Sequence, residues 1–322
     1  MWSGKHMRRT ATVSVILVNF NQSRFVTEAW LSVKSQTFLP NQLVVVDDGS
    51  SGNDVEVIKE LIAKEKDLTT VFIQSKENLG ISARLNQALE KIESDWLIVL
   101  AADDALLSNA IEDLLEATDS SVDVVWGDLG VMNESGELLG FARPRDTWQG
   151  GISKKYLIPG NPFNDLLKFN NFIPGGMTLI RTQTVINTGG WDSKITTEDF
   201  DLWLRISKHG GFKYLRKEVG KYRIVEGSKS RRDTHKLLDQ ARFLGKHSGE
   251  SKDIDKGLAY LAAMRWAFTA MRGRRLPDVS INEMSNIIGI PPKLAWLQMP
   301  RAIANPVLLS LVARIRRLTN SR

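Results

Sequence analysis

The chain has 322 residues, a formal net charge of +6 and no cysteine. The lack of cysteine excludes disulfide bonds, thiolate metal sites and cysteine nucleophiles. The four histidines are too scattered to form a zinc cluster, and no apolar run is long enough to cross a bilayer. Because no signal peptide opens the sequence, we expect a cytoplasmic protein.

Positive charge is concentrated in the last third of the chain. Residues 1–229 contain 26 Lys and Arg against 30 Asp and Glu, a net charge of −4, whereas residues 230–322 contain 17 against 7, a net charge of +10. Such a basic region is typical of attachment to nucleic acid or to an anionic membrane. We therefore divide the chain into a tag-like N-terminus (1–11), a folded domain (12–229) and a basic helical C-terminal region (230–322).

Strands alternate with helices through the first 126 residues. Short apolar runs, several of them rich in β-branched residues, predict five strands: 13–18, 43–46, 71–73, 96–104 and 123–126. Apolar stripes at helical spacing predict helices at 23–35, 54–66, 82–92 and 110–117. Asn109 and Glu112 have the spacing of a capping box at the start of the last helix. This alternation indicates an α/β fold with a doubly wound, mostly parallel sheet.

The pattern becomes less regular after Gly127. A hairpin is predicted around 133–136, a strand at 177–180, and a helix that begins at 196–199. In the basic region, 258–271 is predicted to form a buried helix, since 14 residues are too few to span a membrane. Residues 307–318 form an amphipathic basic stripe. This segment either lies on a membrane surface or packs as a terminal helix on its own domain.

Two adjacent carboxylates, Asp103 and Asp104, end the apolar stretch 96–104 that is predicted to form the fourth strand. In open α/β sheets, ligands bind beyond the carboxyl ends of the strands. Neighbouring acids repel each other, and they commonly hold a divalent cation against a phosphate-bearing substrate. The alternative is that Asp104 begins a turn or caps the next helix.

Polar or aromatic side chains also follow the first two strands. Phe20 could stack on a nucleobase, and Asp48 could accept hydrogen bonds from a base or ribose. Each signal alone is weak, because Asp-Gly-Ser is also a common turn sequence. Phe20, Asp48 and the acidic pair follow one another in this order along the chain, and together they favour a nucleotide site.

From about Thr12 to Ser230 the chain resembles the inverting glycosyltransferases of family 2, which have the GT-A fold. The segments that carry this resemblance are Ser14–Asn21, Ser35–Phe38, Val46–Ser50, Asn78–Gly80 with Asn86, Ala102–Asp104 and Thr197–Arg205. The last of these is the most specific. The resemblance implies a GT-A domain at 12–229, followed by the C-terminal helical region.

The resemblance also implies roles for individual residues. On the donor side it implies nucleotide binding by Val18, Phe20, Asn21, Asp48, Asn86 and Asp103. Asp103 and Asp104 would bind a divalent cation, Mn²⁺ or Mg²⁺, and Glu198 and Trp203 would lie on the acceptor side. Asp199 matches the general base. A carboxylate at a helix N-terminus is kept ionised by the helix dipole, as a base requires, although helix capping is an equal alternative.

Three positions depart from the family pattern. Ala101 replaces the first acid of the common Asp-x-Asp motif, and Val225 replaces a histidine that often follows a Tyr-Arg pair. Leu85 replaces the arginine that often precedes the family's asparagine, and Arg84 is displaced by one position. Arg205 is expected to form an internal ion pair.

The expected function is inverting transfer of a sugar from a nucleoside-diphosphate sugar, with UDP favoured, to a hydroxyl of a glycan or lipid-linked glycan in surface polysaccharide synthesis. The alternative is a non-catalytic nucleotide- or glycan-binding module of the same fold. The basic tail would attach the protein peripherally to an anionic inner membrane surface. Nucleic acid is not expected as a partner, because the tail aromatics lie among apolar residues.

Overall fold

A computed structural model describes residues 11–142, 152–169, 171–195 and 197–225, together with the single positions 249, 255, 259 and 293. The two helices predicted at 258–271 and 307–318 lie outside these residues, apart from position 259. Every helix in the described part of the chain is too short or too polar to span a bilayer.

One mixed sheet of nine strands organises the domain. Its strands are β1 (Val13–Asn19), β2 (Gln42–Asp47), β3 (Thr70–Gln74), β4 (Trp96–Ala101), β5 (Ala105–Leu106), β6 (Val124–Met132), β7 (Leu138–Ala142), β8 (Leu179–Arg181) and β9 (Phe212–Arg223). The order is β3-β2-β1-β4-β8-β6-β9-β5, and β7 pairs with β6. The first four strands of this order are parallel, whereas β8 is antiparallel to both of its neighbours.

Seven α-helices accompany the sheet in the described ranges. They are α1 (Ser23–Lys34), α2 (Asp54–Lys64), α3 (Ile81–Leu89), α4 (Ala110–Glu116), α5 (Phe163–Phe169), α6 (Thr182–Asn187) and α7 (Glu198–Ile206), and a 3₁₀ turn spans Ile152–Tyr156. Residues of α1, α2 and α4 pack into one apolar core, and residues of α3, α5, α6 and α7 pack into a second. The sheet therefore lies between two helical layers, as a doubly wound α/β fold requires.

Side-chain alternation explains why both cores form. In β1, Val13, Val15 and Leu17 join the first core, whereas Ile16 joins the second. Successive side chains of a strand point to opposite faces, so a continuous apolar run fills both layers. The fold class, the first four strands and the 133–136 hairpin, formed by β6 and β7, are confirmed.

The structure differs from the sequence prediction at the start of α4 and in β9. The capping box is wrong: Asn109 makes no side-chain cap, and the Glu112 carboxylate instead accepts a hydrogen bond of 2.6 Å from the Thr37 hydroxyl. The twelve-residue strand β9 was not predicted. Charged residues interrupt its apolar pattern, and its pairing with β6 joins segments far apart in sequence.

Candidate active site

The carboxyl ends of β1, β2 and β4 lie side by side. Asn19 pairs with Asp47 across β1 and β2, and Val18 pairs with Ala101 across β1 and β4. The backbone N–H of Ala102 also donates to the Val18 carbonyl at 2.9 Å. The segments carrying the predicted nucleotide and cation ligands therefore leave the sheet at one edge.

Asn21 joins the loop after β1 to the loop after β2. Its backbone adopts a left-handed conformation, with φ +55°. Its N–H donates to the Ser50 hydroxyl, and its side-chain oxygen accepts from the Ser51 N–H, both at 2.9 Å. The exposed Asn21 thus shapes the loop beside the half-buried Phe20. Contact of either residue with a nucleotide stays a prediction.

Asp48 is almost fully buried and already holds protein partners. Its Oδ1 accepts from the Leu79 N–H and from Arg84 Nε, both at 2.8 Å, and its Oδ2 accepts from the Gly80 N–H at 3.0 Å. A carboxylate oxygen has two acceptor positions. Oδ2 therefore retains an acceptor position for a base or ribose, and the carboxylate is fixed in place.

Arg84 fixes the Asp48 carboxylate inside the protein and is not exposed for contact with a phosphate. Its side chain is buried, and besides Asp48 it donates to the Gln87 side chain at 2.6 Å and to the Glu77 carbonyl at 2.9 Å. One position along a helix rotates a side chain by about 100°. The displacement from position 85 to 84 therefore explains why this arginine contacts Asp48.

The acidic pair forms a tight turn beyond β4. Asp104 is 6% exposed, its N–H donates to the Ala101 carbonyl at 3.0 Å, and its Oδ1 accepts from the Arg223 N–H at 2.9 Å. It thus closes a turn that begins at Ala101, and it does not cap α4, which starts after Asn109. Burial and the neighbouring Asp103 raise the pKa of Asp104 well above its usual value, although Arg223 opposes them. Burial also raises the pKa of Asp103.

The chemistry of this donor set fits a divalent cation. Two adjacent carboxylates that are costly to ionise gain most from a compensating positive charge. Among the described residues, however, no cluster of three or more His, Asp and Glu side chains could hold a metal ion. A cation held by Asp103 and Asp104 would therefore take its remaining oxygen ligands from substrate phosphate and water.

Arg223 anchors the acidic turn. It is 2% exposed, and its Nε donates to the Asp103 carbonyl at 2.8 Å. Another guanidinium nitrogen donates to the Asn133 carbonyl at 3.1 Å, and a third contacts the Glu28 carboxylate. Sequence reasoning used the Tyr-Arg pair only to locate the missing histidine, and it missed this role.

Asp199 lies in the first turn of α7 and is partly exposed. Its Oδ1 accepts from the Phe200 N–H at 2.7 Å, and its Oδ2 accepts from the Asn171 side-chain amide at 2.9 Å. The carboxylate thus bonds a helix amide, as in capping, and it also lies at the surface, as a base requires. Glu198, beside it, is also partly exposed.

The structure favours a structural role for two of the predicted site residues. Trp203 is 1% exposed and packs edge-on against Phe212 in the second core, so it cannot contact an acceptor in this structure. The Asn86 side chain bonds the backbone of Trp191, donating to its carbonyl at 2.7 Å and accepting from its N–H at 2.9 Å. Asn86 therefore joins α3 to the turn after α6, and these bonds favour a structural role for its side chain over nucleotide binding. The internal ion pair of Arg205 is confirmed, with Asp201 as its partner.

A glycine-containing segment between α5 and β8 also belongs to the site. A Cβ atom added to Gly175 would lie 2.7 Å from Asp199 Oδ2. The N–H of Met177 donates to the Val99 carbonyl of β4 at 2.8 Å. Sequence reasoning missed this segment because it has no periodic pattern; its only signal is Pro174-Gly175-Gly176, which is also an ordinary turn sequence.

Comparison with known proteins identifies the family. The sequence model described as Glycosyl transferase family 2 matches residues 14–182, which is more than half of the chain. The chain belongs to glycosyl transferase family 2. This confirms the resemblance carried by the strand-end motifs.

Similar family 2 proteins occur in several bacteria. A poly-β-1,6-N-acetyl-D-glucosamine synthase of Staphylococcus aureus is 24% identical over 202 residues, covering 62% of this chain and 46% of that protein. An uncharacterized glycosyltransferase of Rickettsia felis is 26% identical over 200 residues, covering 60% of this chain and 31% of that protein. The chain thus spans less than half the length of these curated relatives.

Solved structures confirm the GT-A fold. TarS of S. aureus, residues 1–349 in complex with UDP-GlcNAc, matches with a TM-score of 0.64 and 16% identity, covering 91% of this chain and 89% of that one. The mannosyltransferase PcManGT of Pyrobaculum calidifontis, in complex with GDP-Man and Mn²⁺, matches with a TM-score of 0.54 and 17% identity, covering 98% and 86%. At this identity the similarity concerns the fold.

Proposed function

We propose that this family 2 domain transfers a sugar from a nucleoside-diphosphate sugar, UDP-linked in the first instance, to a hydroxyl of a glycan or lipid-linked glycan, with inversion at the anomeric carbon. One observation carries the proposal. The segment that passes close to Asp199 at Gly175 also donates a hydrogen bond, from the Met177 N–H, to the Val99 carbonyl of β4. Val99 lies four residues before Asp103. One short segment thereby connects the candidate base to the strand that leads to the acidic pair.

The proposed chemistry is a single displacement. The acceptor oxygen attacks the anomeric carbon as the bond to the diphosphate oxygen breaks, and Asp199 takes the proton of the acceptor hydroxyl. A positioned general base typically contributes about 10²–10⁴-fold to the rate. A bound divalent cation would neutralise the charge that develops on the departing diphosphate.

The sugar donor would bind at the sheet edge where β1, β2 and β4 end. Phe20 would stack on the base, while Asp48 Oδ2 would accept a hydrogen bond from its edge. Asp103 and Asp104 would hold the cation against the diphosphate. UDP is favoured because the solved relative TarS binds UDP-GlcNAc, whereas GDP is the alternative raised by the mannosyltransferase.

The acceptor and location are proposed from the relatives and from charge. The synthase relative is named for a polymer of N-acetylglucosamine, which supports a glycan acceptor. The net charge of +10 over residues 230–322 supports peripheral attachment at the cytoplasmic face of an anionic membrane. Replacing Arg314, Arg316 and Arg317 by Gln should reduce sedimentation with phosphatidylserine vesicles; unchanged sedimentation would refute attachment through this segment.

A non-catalytic module remains the second candidate, because Ala101 and Val225 replace two groups common in the family. Asp199→Asn separates the two. In an enzyme this variant loses turnover but binds nucleotide normally, whereas in a binding module neither form turns over.

Transferase turnover is measured as the release of UDP from UDP-GlcNAc, with β-1,6-linked N-acetylglucosamine oligosaccharides as acceptors. Thermal unfolding with UDP, dTDP, GDP and CMP, each with and without Mn²⁺, identifies the nucleotide. Product anomers are assigned by proton NMR. A retained anomeric configuration would refute the single displacement.

A further inference from the structure

Residues 171–177, which we call the base segment, contact three parts of the site. Asn171 donates to Asp199 Oδ2 at 2.9 Å, and its own Oδ1 accepts from the Ile173 N–H at 3.1 Å. At the other end, the Met177 N–H donates to the Val99 carbonyl of β4. The Met177 backbone is left-handed, with φ +57°. Such a conformation is costly for a residue with a side chain, so the surrounding contacts must hold it.

Glycine is required where the base segment approaches its neighbours. A Cβ at Gly175 would meet Asp199 Oδ2 at 2.7 Å and its Cβ at 3.0 Å. On the far side, a Cβ at Gly220 of β9 would lie 2.2 Å from the sulfur of Met177. The segment is therefore packed closely between α7 and β9, and it is bonded to β4.

We propose that Asn171 is a positioning residue for Asp199 and that the base segment fixes the distance between this carboxylate and the acidic strand. The inference rests on the proposed function, in which Asp199 is the base. The Asn171 amide fixes the rotation of the carboxylate and, as a donor, favours its ionised form. A base held in one orientation reacts faster than one that samples several.

Asn171→Asp is the sharpest test. Aspartate keeps the oxygen that accepts from Ile173, but it replaces the donor to Asp199 with a second negative charge. We expect a loss of turnover of about 100-fold, with about 10-fold for Asn171→Ala, which corresponds to about 1.4 kcal/mol per factor of ten. The affinity for UDP should not change, since the donor edge is untouched. Asn187→Ala, which removes an exposed amide on α6, is the matched control and should keep full turnover.

The pH profile separates positioning from general damage. Without the donor from Asn171, the ionised form of Asp199 loses a hydrogen bond, so the acidic limb of the turnover profile should move to higher pH. A lower but unshifted profile in both Asn171 variants would overturn the inference. Circular dichroism and the unfolding temperature of each variant identify any that fail to fold.

A double-mutant comparison tests whether Asn171 acts through Asp199. If it does, adding Asn171→Ala to Asp199→Asn should cause no further loss of turnover. Additive losses would overturn the inference. The proposed function fails instead if Asp199→Asn alone keeps its turnover. Gly175→Ala provides a second route, because it displaces the carboxylate while leaving Asn171 intact, and it should lower turnover without changing the affinity for UDP.

Discussion

Replacing Asp104 by Asn is expected to stabilise the ligand-free protein and to weaken its response to cation and nucleotide. The Asp104 carboxylate is 6% exposed and lies next to Asp103, so burial and like charge raise its pKa. Asparagine removes the charge but keeps the oxygen that accepts from the Arg223 N–H at 2.9 Å. The variant therefore loses the unfavourable ionisation without losing this hydrogen bond.

The sign of the pH dependence follows from proton linkage. Because the pKa is higher in the folded than in the unfolded state, the folded protein holds its proton more tightly. Stability from this group is present below the unfolded pKa of about 3.9 and is lost as the pH rises through the folded pKa. At pH 7.5, Asp104→Asn should therefore be more stable than the parent protein, because the amide has no charge to bury. For a domain of this size, each kcal/mol gained raises the unfolding temperature by roughly 2 to 4 °C.

Ligands should reverse the order of stability. With Mn²⁺ and UDP at about 100 times the dissociation constant, the parent protein should gain about 2.7 kcal/mol, and the variant should gain much less. Scanning calorimetry in EDTA from pH 5 to 8, and then with Mn²⁺ and UDP, measures both effects. Asp67→Asn, a change at an exposed turn acid, is the control. A variant less stable than the parent protein in EDTA at pH 7.5 would refute the reasoning.

Three further substitutions test individual contacts in the domain. Gly49→Ala places a Cβ 2.6 Å from the backbone of Glu77 at φ +74°, so we expect a loss of about 1 to 3 kcal/mol and weaker UDP binding; an unchanged unfolding temperature would contradict this. Asn86→Ala should cost about 1 to 3 kcal/mol in denaturant unfolding but leave the affinity for UDP unchanged, because its amide bonds only backbone. Burial opposes ionisation of Glu65, but hydrogen bonds from Lys34 and two backbone N–H groups lower its pKa to about 2. Glu65→Gln should therefore lose about 2 kcal/mol above pH 5 and little at pH 2, measured by urea unfolding across that range.

The sequence located the donor edge because parallel strands have a simple geometry. Once β1, β2 and β4 were recognised, the neighbouring positions of Phe20, Asp48 and Asp103 followed from the rule that their carboxyl ends meet at one edge. That inference needs only the order of the strands and their apolar runs. The structure keeps these segments together through strand pairing.

Side-chain direction was the part that the sequence could not provide. Asn86 lies in a motif, but its amide bonds the backbone of Trp191, 105 positions away. Trp203 was assigned to the acceptor side from its motif, whereas the approach of β9 buries it. Asn171 lies outside any motif, and only the tertiary packing brings it to Asp199. Long-range contacts decided each of these three cases.

Two of the three departures from the family pattern, Ala101 and Val225, lie around the same turn. Ala101 ends β4 and Val225 follows β9, and between them Arg223 bonds both the Asp103 carbonyl and, through its N–H, the Asp104 carboxylate. The turn is thus held by backbone and guanidinium contacts, which would keep both acids in place without a third protein ligand. A cation bound by only two carboxylates needs oxygen from elsewhere, and the donor diphosphate can supply it. We therefore expect cation and nucleotide to bind cooperatively, because each completes the site of the other.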